Sequence, residues 1–81
     1  MVLEIVTPDS KVFDGEIVSI TLPGIEGSFQ ILNNHAPVVS ALGNGKLVVE
    51  TKSETLDFNL DGGVIEMNNN KVIVLAESIS K

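Results

Sequence analysis

Cysteine, tryptophan, tyrosine and arginine are all missing from these 81 residues. Without cysteine there can be no disulfide framework, no Cys-ligated zinc and no thiol nucleophile. Without Trp or Tyr, and with only three Phe, no face can offer a broad aromatic platform for a flat ligand. Basic charge is scarce: Lys11, Lys46, Lys52, Lys71 and Lys81 lie scattered among eleven Asp and Glu, for a formal net charge of −6. A nucleic-acid binder needs clustered cations to displace counterions from phosphates, so this chain would be repelled. An anionic membrane surface would repel it for the same reason. Long apolar runs are also missing. The longest, Val72 to Ala76, is five residues, where a membrane-spanning helix needs about 20. Glu4 and Asp9 interrupt the N-terminus, so no signal peptide is expected from it.

The constellations that carry chemistry are equally thin. His35 is the only histidine, and no nucleophile or orienting acid stands in recognisable pairing with it. No Gly-x-Ser-x-Gly elbow is present. The acids, among them Glu4, Asp14, Glu50, Asp57 and Glu66, are spread along the chain and read as a solvating surface rather than as a catalytic pair. One His and no Cys exclude the usual zinc sets, and Asp61-Gly62-Gly63 lacks the spaced oxygens of a calcium loop. Gly24 and Gly27, or Gly43 and Gly45, are not followed by a Lys-Ser/Thr pair or a helix start, so a nucleotide cradle is not expected. No cofactor, no metal and no tight ATP binding are expected.

What is present is a β-type sequence of a length that makes one domain, residues 1–81. Turn signals recur about every eight to twelve residues, as in a sandwich or barrel. They are Thr7-Pro8-Asp9-Ser10, Pro23-Gly24, Asn33-Asn34, Gly43-Asn44-Gly45, Lys52-Ser53, Asp61-Gly62-Gly63 and Asn68-Asn69-Asn70. Val18-Ser19-Ile20-Thr21-Leu22 and Leu56-Asp57-Phe58-Asn59-Leu60 place their apolar residues at even positions, the period of a strand with one wet face. Val2 to Val6 and Leu47 to Val49 are more continuous and read as strands covered on both faces. Asn44-Gly45 has the residues of a tight turn, Lys52-Ser53 those of a hairpin tip, and Asn68-Asn69-Asn70 those of a turn with left-handed residues. No helical period is sustained anywhere. The expectation is an all-β fold of about eight or nine short, mostly antiparallel strands in two packed sheets.

Between two strand runs lies Pro23-Gly24-Ile25-Glu26-Gly27-Ser28-Phe29-Gln30-Ile31-Leu32-Asn33-Asn34-His35-Ala36-Pro37-Val38-Val39-Ser40-Ala41-Leu42. It is rich in residues of special backbone geometry and holds an acid and a His-Ala-Pro corner. Loops on a rigid sandwich are where partners bind. Here the chain resembles the epsilon subunit of rotary F-type ATP synthases, in its N-terminal β-sandwich domain. The pattern is Gly24, Glu26-Gly27, Ile31, His35-Ala36-Pro37, Val38-Val39 and Ser40. A second signature is Gly62-Gly63-Val64-Ile65-Glu66 followed by Asn70-Lys71-Val72-Ile73-Val74-Leu75-Ala76-Glu77. The opening Leu3-Glu4-Ile5-Val6-Thr7-Pro8 with Phe13-Asp14-Gly15 fits as well. Gln30 stands where that family usually has Gly, Asn33-Asn34 where it often has Pro-Gly, and Ser28 where an acid is common.

The resemblance implies a flattened β-sandwich of about ten strands in a central stalk, a mechanical part without an active site. It implies two partners, the gamma subunit and the c-ring, at the cytoplasmic face of a bacterial plasma membrane without insertion into it. Glu26, Gly27 and Ser28 would face the c-ring; His35, Ala36, Pro37 and Ser40, with Thr7 near them, would face gamma. Most members continue into two C-terminal helices that carry inhibition and nucleotide sensing. Those helices have no counterpart before Lys81, so the brake they impose is not expected here, whereas Met1 leads directly into the first strand and an intact start is expected. The alternative reading is a free-standing β-sandwich that binds a carbohydrate or other small ligand, which the missing aromatics disfavour; an uncharacterised small enzyme is a third, which the missing constellations disfavour.

Overall fold

The period-2 runs become strands, and no helix forms. The computed structural model describes residues 1–81. In chain order the strands are β1 (Val2–Val6), β2 (Lys11–Glu16), β3 (Ser19–Gly24), β4 (Gly27–Leu32), β5 (Val38–Glu50), β6 (Thr55–Asn68), β7 (Lys71–Ala76) and β8 (Ile79–Ser80). Their order across the sheet is β2-β1-β7-β6-β5-β3-β4, with β8 on β6. Every pairing is antiparallel except β1 with β7.

β5 and β6 are long, and each serves two layers. Val38–Leu42 of β5 and Gly63–Met67 of β6 pair with each other, and Gly63–Asn68 of β6 pairs with β7, which adds β1 and β2. Asn44–Glu50 and Thr55–Asp61 also pair with each other; they carry β3 and β4 on one side and β8 on the other. Counting both halves of these two strands turns eight strands into the expected ten or so segments of a flattened sandwich.

Two of the expected turns are therefore not turns. Gly43-Asn44-Gly45 and Asp61-Gly62-Gly63 lie inside β5 and β6, and Asn44 pairs with Asp61. They form the corner at which the paired strands pass from one layer to the other. Burial changes parity there: Leu56, Phe58 and Leu60 face inward before the corner of β6, Ile65 and Met67 after it. Glycine is required at this corner. Gly62 has φ +80°, and a Cβ on it would lie 2.6 Å from Glu77 Oε2. A Cβ on Gly63 would be driven into the backbone carbonyl of Leu75.

The core is one cluster fed by both layers. Leu3, Ile5, Ile65, Met67, Val72 and Val74 come from the first, and Ile20, Leu22, Ile31, Leu47, Val49, Phe58 and Leu60 from the second. Removing this apolar surface from water drives folding, at roughly 25 cal/mol per Å². β1 and the end of β5 are less covered than their apolar runs suggest. Val2, Glu4, Val6 and Val48 are only half-buried, so those strands have one inner and one partly wet face. Val18 is exposed, because β3 starts one residue later.

Candidate partner-binding surface

Glu26 sits at the tip of a hairpin. Gly24 and Gly27 are the last cross-strand pair of β3 and β4, so Ile25 and Glu26 form a two-residue connection. Gly27 takes φ +133°, a value open to glycine and strained for other residues. The site of Gly24 is tight as well, since a Cβ there would stand 2.7 Å from the Gly27 carbonyl oxygen. Glu26, Gly27 and Ser28 are exposed, and so is the neighbouring Ile25, at 68%.

The His35-Ala36-Pro37 corner links β4 to β5. The backbone N–H of His35 donates to the Leu32 carbonyl at 3.1 Å, closing a turn in which Asn34 takes φ 65°. This connection is tied to the distant β6–β7 turn. Asn70 Oδ1 accepts from the Asn34 backbone N–H at 2.8 Å, and Asn70 Nδ2 donates to Asn33 Oδ1 at 3.0 Å. The expected left-handed turn is present, with Asn69 and Asn70 at φ 50° and 61°. His35 Nδ1 donates to the Ala36 carbonyl at 2.7 Å, and the ring, Ala36 and Pro37 stand in solvent. The ring touches no carboxylate and no hydroxyl nucleophile that could make it a general base.

The structure groups the expected contact residues differently from the sequence reading. Ser40 lies beside the hairpin tip, lining one shallow depression with Gly24, Ile25, Glu26, Gly27 and Phe29. Thr7 is not beside His35. It follows the end of β1, where Val6 pairs with Leu75, and lines a depression with Ala76 and Glu77. Asn70, which holds the His35 connection, precedes the opposite end of β7. A parallel β1–β7 pairing decides this, because it carries the end of β1 to the end of β7. Thr7 instead caps its own turn, its Oγ1 accepting from the N–H groups of Asp9 and Ser10. Glu26 lies in the β3–β4 connection, Gly27 and Ser28 open β4, His35, Ala36 and Pro37 lie in the β4–β5 connection, and Ser40 lies in the first half of β5.

One surface was not anticipated. On the outer face of the first layer, Ala41 pairs with Val64, Val64 with Leu75 and Leu75 with Val6. Val39, Val64 and Leu75 are 70%, 40% and 53% exposed. The stripe is edged by Glu4 and Glu66 and by Lys11, which bridges Glu4 at 2.9 Å and Asp14 at 3.3 Å. Hydrogen bonds to Glu4, then to Asp14, hold the Lys11 ammonium above its usual range. Contiguous exposed apolar surface marks an interaction site. Its trace in the sequence is the run Val72 to Ala76, too continuous for a strand with one wet face.

The fold and surface define the class: an all-β sandwich with open loops and an exposed apolar stripe. The family is set by comparison. The whole chain, residues 1–81, matches the model of the ATP synthase delta/epsilon chain β-sandwich domain, and the chain belongs to that family. It is 42% identical over 79 residues to the ATP synthase epsilon chain of Chlorobium limicola, covering 96% of this chain and 90% of that one. It is 47% identical over 81 residues to the epsilon chain of Maridesulfovibrio salexigens, where it spans all of this chain and 57% of the relative. Its fold is like that of a chain in the Euglena gracilis mitochondrial ATP synthase OSCP/F1/c-ring structure. The TM-score is 0.89 and the identity 24%, over 95% of this chain and 50% of that chain.

Proposed function

We propose that this chain is a non-catalytic central-stalk subunit of a proton-translocating F-type ATP synthase. It binds gamma and the c-ring and passes rotation of the ring through gamma to ATP synthesis. It does so as a peripheral protein on the cytoplasmic face of a bacterial plasma membrane. The observation that carries this reading is the match of 96% and 100% of this chain to epsilon chains at 42% and 47% identity. Epsilon chains are not the catalytic subunits of that complex.

The geometry supports a mechanical part. The β3–β4 hairpin projects an acid on a rigid two-residue tip, and the His35 corner is pinned to β7 by Asn70. Rigid projections transmit force, and both stand on strands that feed one core. We assign Glu26, Gly27 and Ser28 to the c-ring side and His35, Ala36, Pro37 and Ser40 to the gamma side. Thr7 joins the gamma side through the apolar stripe that ends at Val6 rather than through His35.

The test is co-purification of the chain with gamma, followed by proton pumping in the assembled enzyme with Glu26→Lys. An exposed tip charge changes stability by about 0.5 kcal/mol or less, whereas reversing a charge at an interface acts through lost complementarity. Reduced pumping with an unchanged melting midpoint is expected. Unchanged pumping with a lowered midpoint would remove Glu26 from the interface, and no complex with gamma would overturn the function itself.

A further inference from the structure

The first half of β5 has one unpaired edge. Val48–Glu50 pairs with both β6 and β3, and Leu42 meets Gly24 after a shift in register, but Val38–Ala41 pairs only with β6, because β3 ends at Gly24. Exposed strand edges are templates for pairing and are ordinarily guarded by charge, proline or bulges. The edge strand β2 is guarded: it carries Lys11, Asp14 and Glu16, and its pairing with β1 slips between Ile5 and Val6. β8 is guarded by its length of two residues. Val38-Val39-Ser40-Ala41 has no charge, no proline and no break in register with β6. Its surroundings are also open. Val38 and Ser40 are only half-buried; Val38 and Val39 line a shallow depression with Pro37, Glu66 and Met67, and Ser40 lines another with Gly24, Gly27 and Phe29.

We propose that this edge binds its partner by strand addition: an extended segment of the partner pairs with Val38–Ala41 and continues the first layer by one strand. The inference rests on the proposed role as a gamma-binding subunit and specifies how that contact is built. In strand addition the main chain supplies affinity, and pockets beside alternate residues supply selectivity. The depression that Ser40 shares with Gly24, Gly27 and Phe29 is the concavity next to this edge. The incoming strand takes the place in the row that β3 vacates at Gly24.

Charge selects the occupant. Val39 pairs with Glu66, whose exposed carboxylate stands one strand in from the edge, and the whole chain carries −6. A second copy of this chain would bring Glu66 towards Glu66 and −6 towards −6. A segment that is uncharged where it pairs and basic where it passes Glu66 is complementary instead. β4 is the other uncharged edge on this side, but its exposed side chains include Ser28 and Gln30, and it opens on Gly27 at φ +133°. The edge of β5 offers Val39 and Ala41.

Hydrogen exchange on the full chain, free and bound to purified gamma, tests the proposal without a mutation. In an antiparallel pair alternate residues point their N–H groups to opposite sides. Within Val38–Ala41 half of the amides already face β6. The other half are expected to slow at least tenfold on binding, in a period of two. Two single variants give a second reading, Val39→Pro and Ser40→Pro, since one of these neighbours directs its N–H outward. The outward one should keep the melting midpoint and weaken binding at least tenfold; Glu66→Lys should weaken it at least threefold. Binding of gamma with no new protection at Val38–Ala41, or with protection confined to β4, would overturn strand addition and leave the stalk role standing. Absence of any binding to gamma would overturn both.

Discussion

The side chain of Asn70 holds the backbone of Asn34, its Oδ1 accepting from that N–H at 2.8 Å across 36 positions of sequence. The same amide donates to Asn33 Oδ1, so one residue in the β6–β7 turn fixes the entry to the His35 corner. Asn70 itself takes φ 61°, where asparagine and glycine are the residues best tolerated.

Replacing Asn70 by glycine keeps that backbone and removes both bonds. At about 0.5–1.5 kcal/mol per hydrogen bond, and with solvent free to replace part of the loss, Asn70→Gly should destabilise by about 1 kcal/mol in a denaturant titration. Amide exchange at Asn34 and His35 should quicken. An unchanged exchange rate there would show that the corner holds itself.

The corner glycines should differ sharply from one another. Gly63→Ala forces a Cβ into the Leu75 carbonyl of a paired strand, which neither strand can relieve alone. A loss of about 3 kcal/mol or more is expected, from overpacking added to an unfavourable backbone conformation. Gly43→Ala meets nothing nearer than Ile25 at 3.8 Å and should stay within about 1 kcal/mol of the parent. Comparable melting midpoints for the two variants would contradict this account of the corner.

Lys11 offers a pH test. Its pairing with Glu4 and Asp14 raises its folded pKa above the ordinary 10.5. A group raised on folding contributes stability below its unfolded pKa and loses it as pH rises through the folded value. The difference in stability between the parent and Lys11→Gln should therefore be constant from neutral pH to about pH 10 and shrink above it. The effect is small because the pair is exposed and screened. Measured in 1 M salt, the difference should shrink at neutral pH as well.

These 81 residues should neither hydrolyse ATP nor impose an ATP-relieved brake. No phosphate loop and no arginine are present to stabilise a transferring phosphoryl group. A regulatory switch needs an element with two arrangements of similar free energy, whereas every strand here is paired into one sandwich. Hydrolysis by a reconstituted gamma–catalytic hexamer should change little on adding the chain. Strong inhibition relieved by ATP would reveal a regulatory surface on the sandwich.

Much of the fold is local chemistry and is readable as such. Alternation placed Phe58 and Leu60 inward, asparagines marked the β6–β7 turn, and Lys52-Ser53 marked the hairpin between β5 and β6. Composition argues against thiol chemistry, aromatic platforms and nucleic-acid binding, because cysteine is missing, the aromatics are three Phe and the five lysines are scattered among eleven acids. The order of the His-Ala-Pro and Gly-Gly-x-x-Glu signatures named the family.

Tertiary structure decided what depends on distant neighbours. Gly43-Asn44-Gly45 and Asp61-Gly62-Gly63 have the composition of turns, since a turn and a strand corner both need backbone freedom. Only the pairing of Asn44 with Asp61 makes them one corner. The parallel pairing of β1 with β7 sends Thr7 to the far end from Asn70, and no short-range signal carries that choice. The exposed stripe through Val64 and Leu75, and the bare edge at Val38–Ala41, exist because register sets which residues meet and which strand stops short. Register is a relation between segments, so it is settled when the chain folds rather than within any one segment.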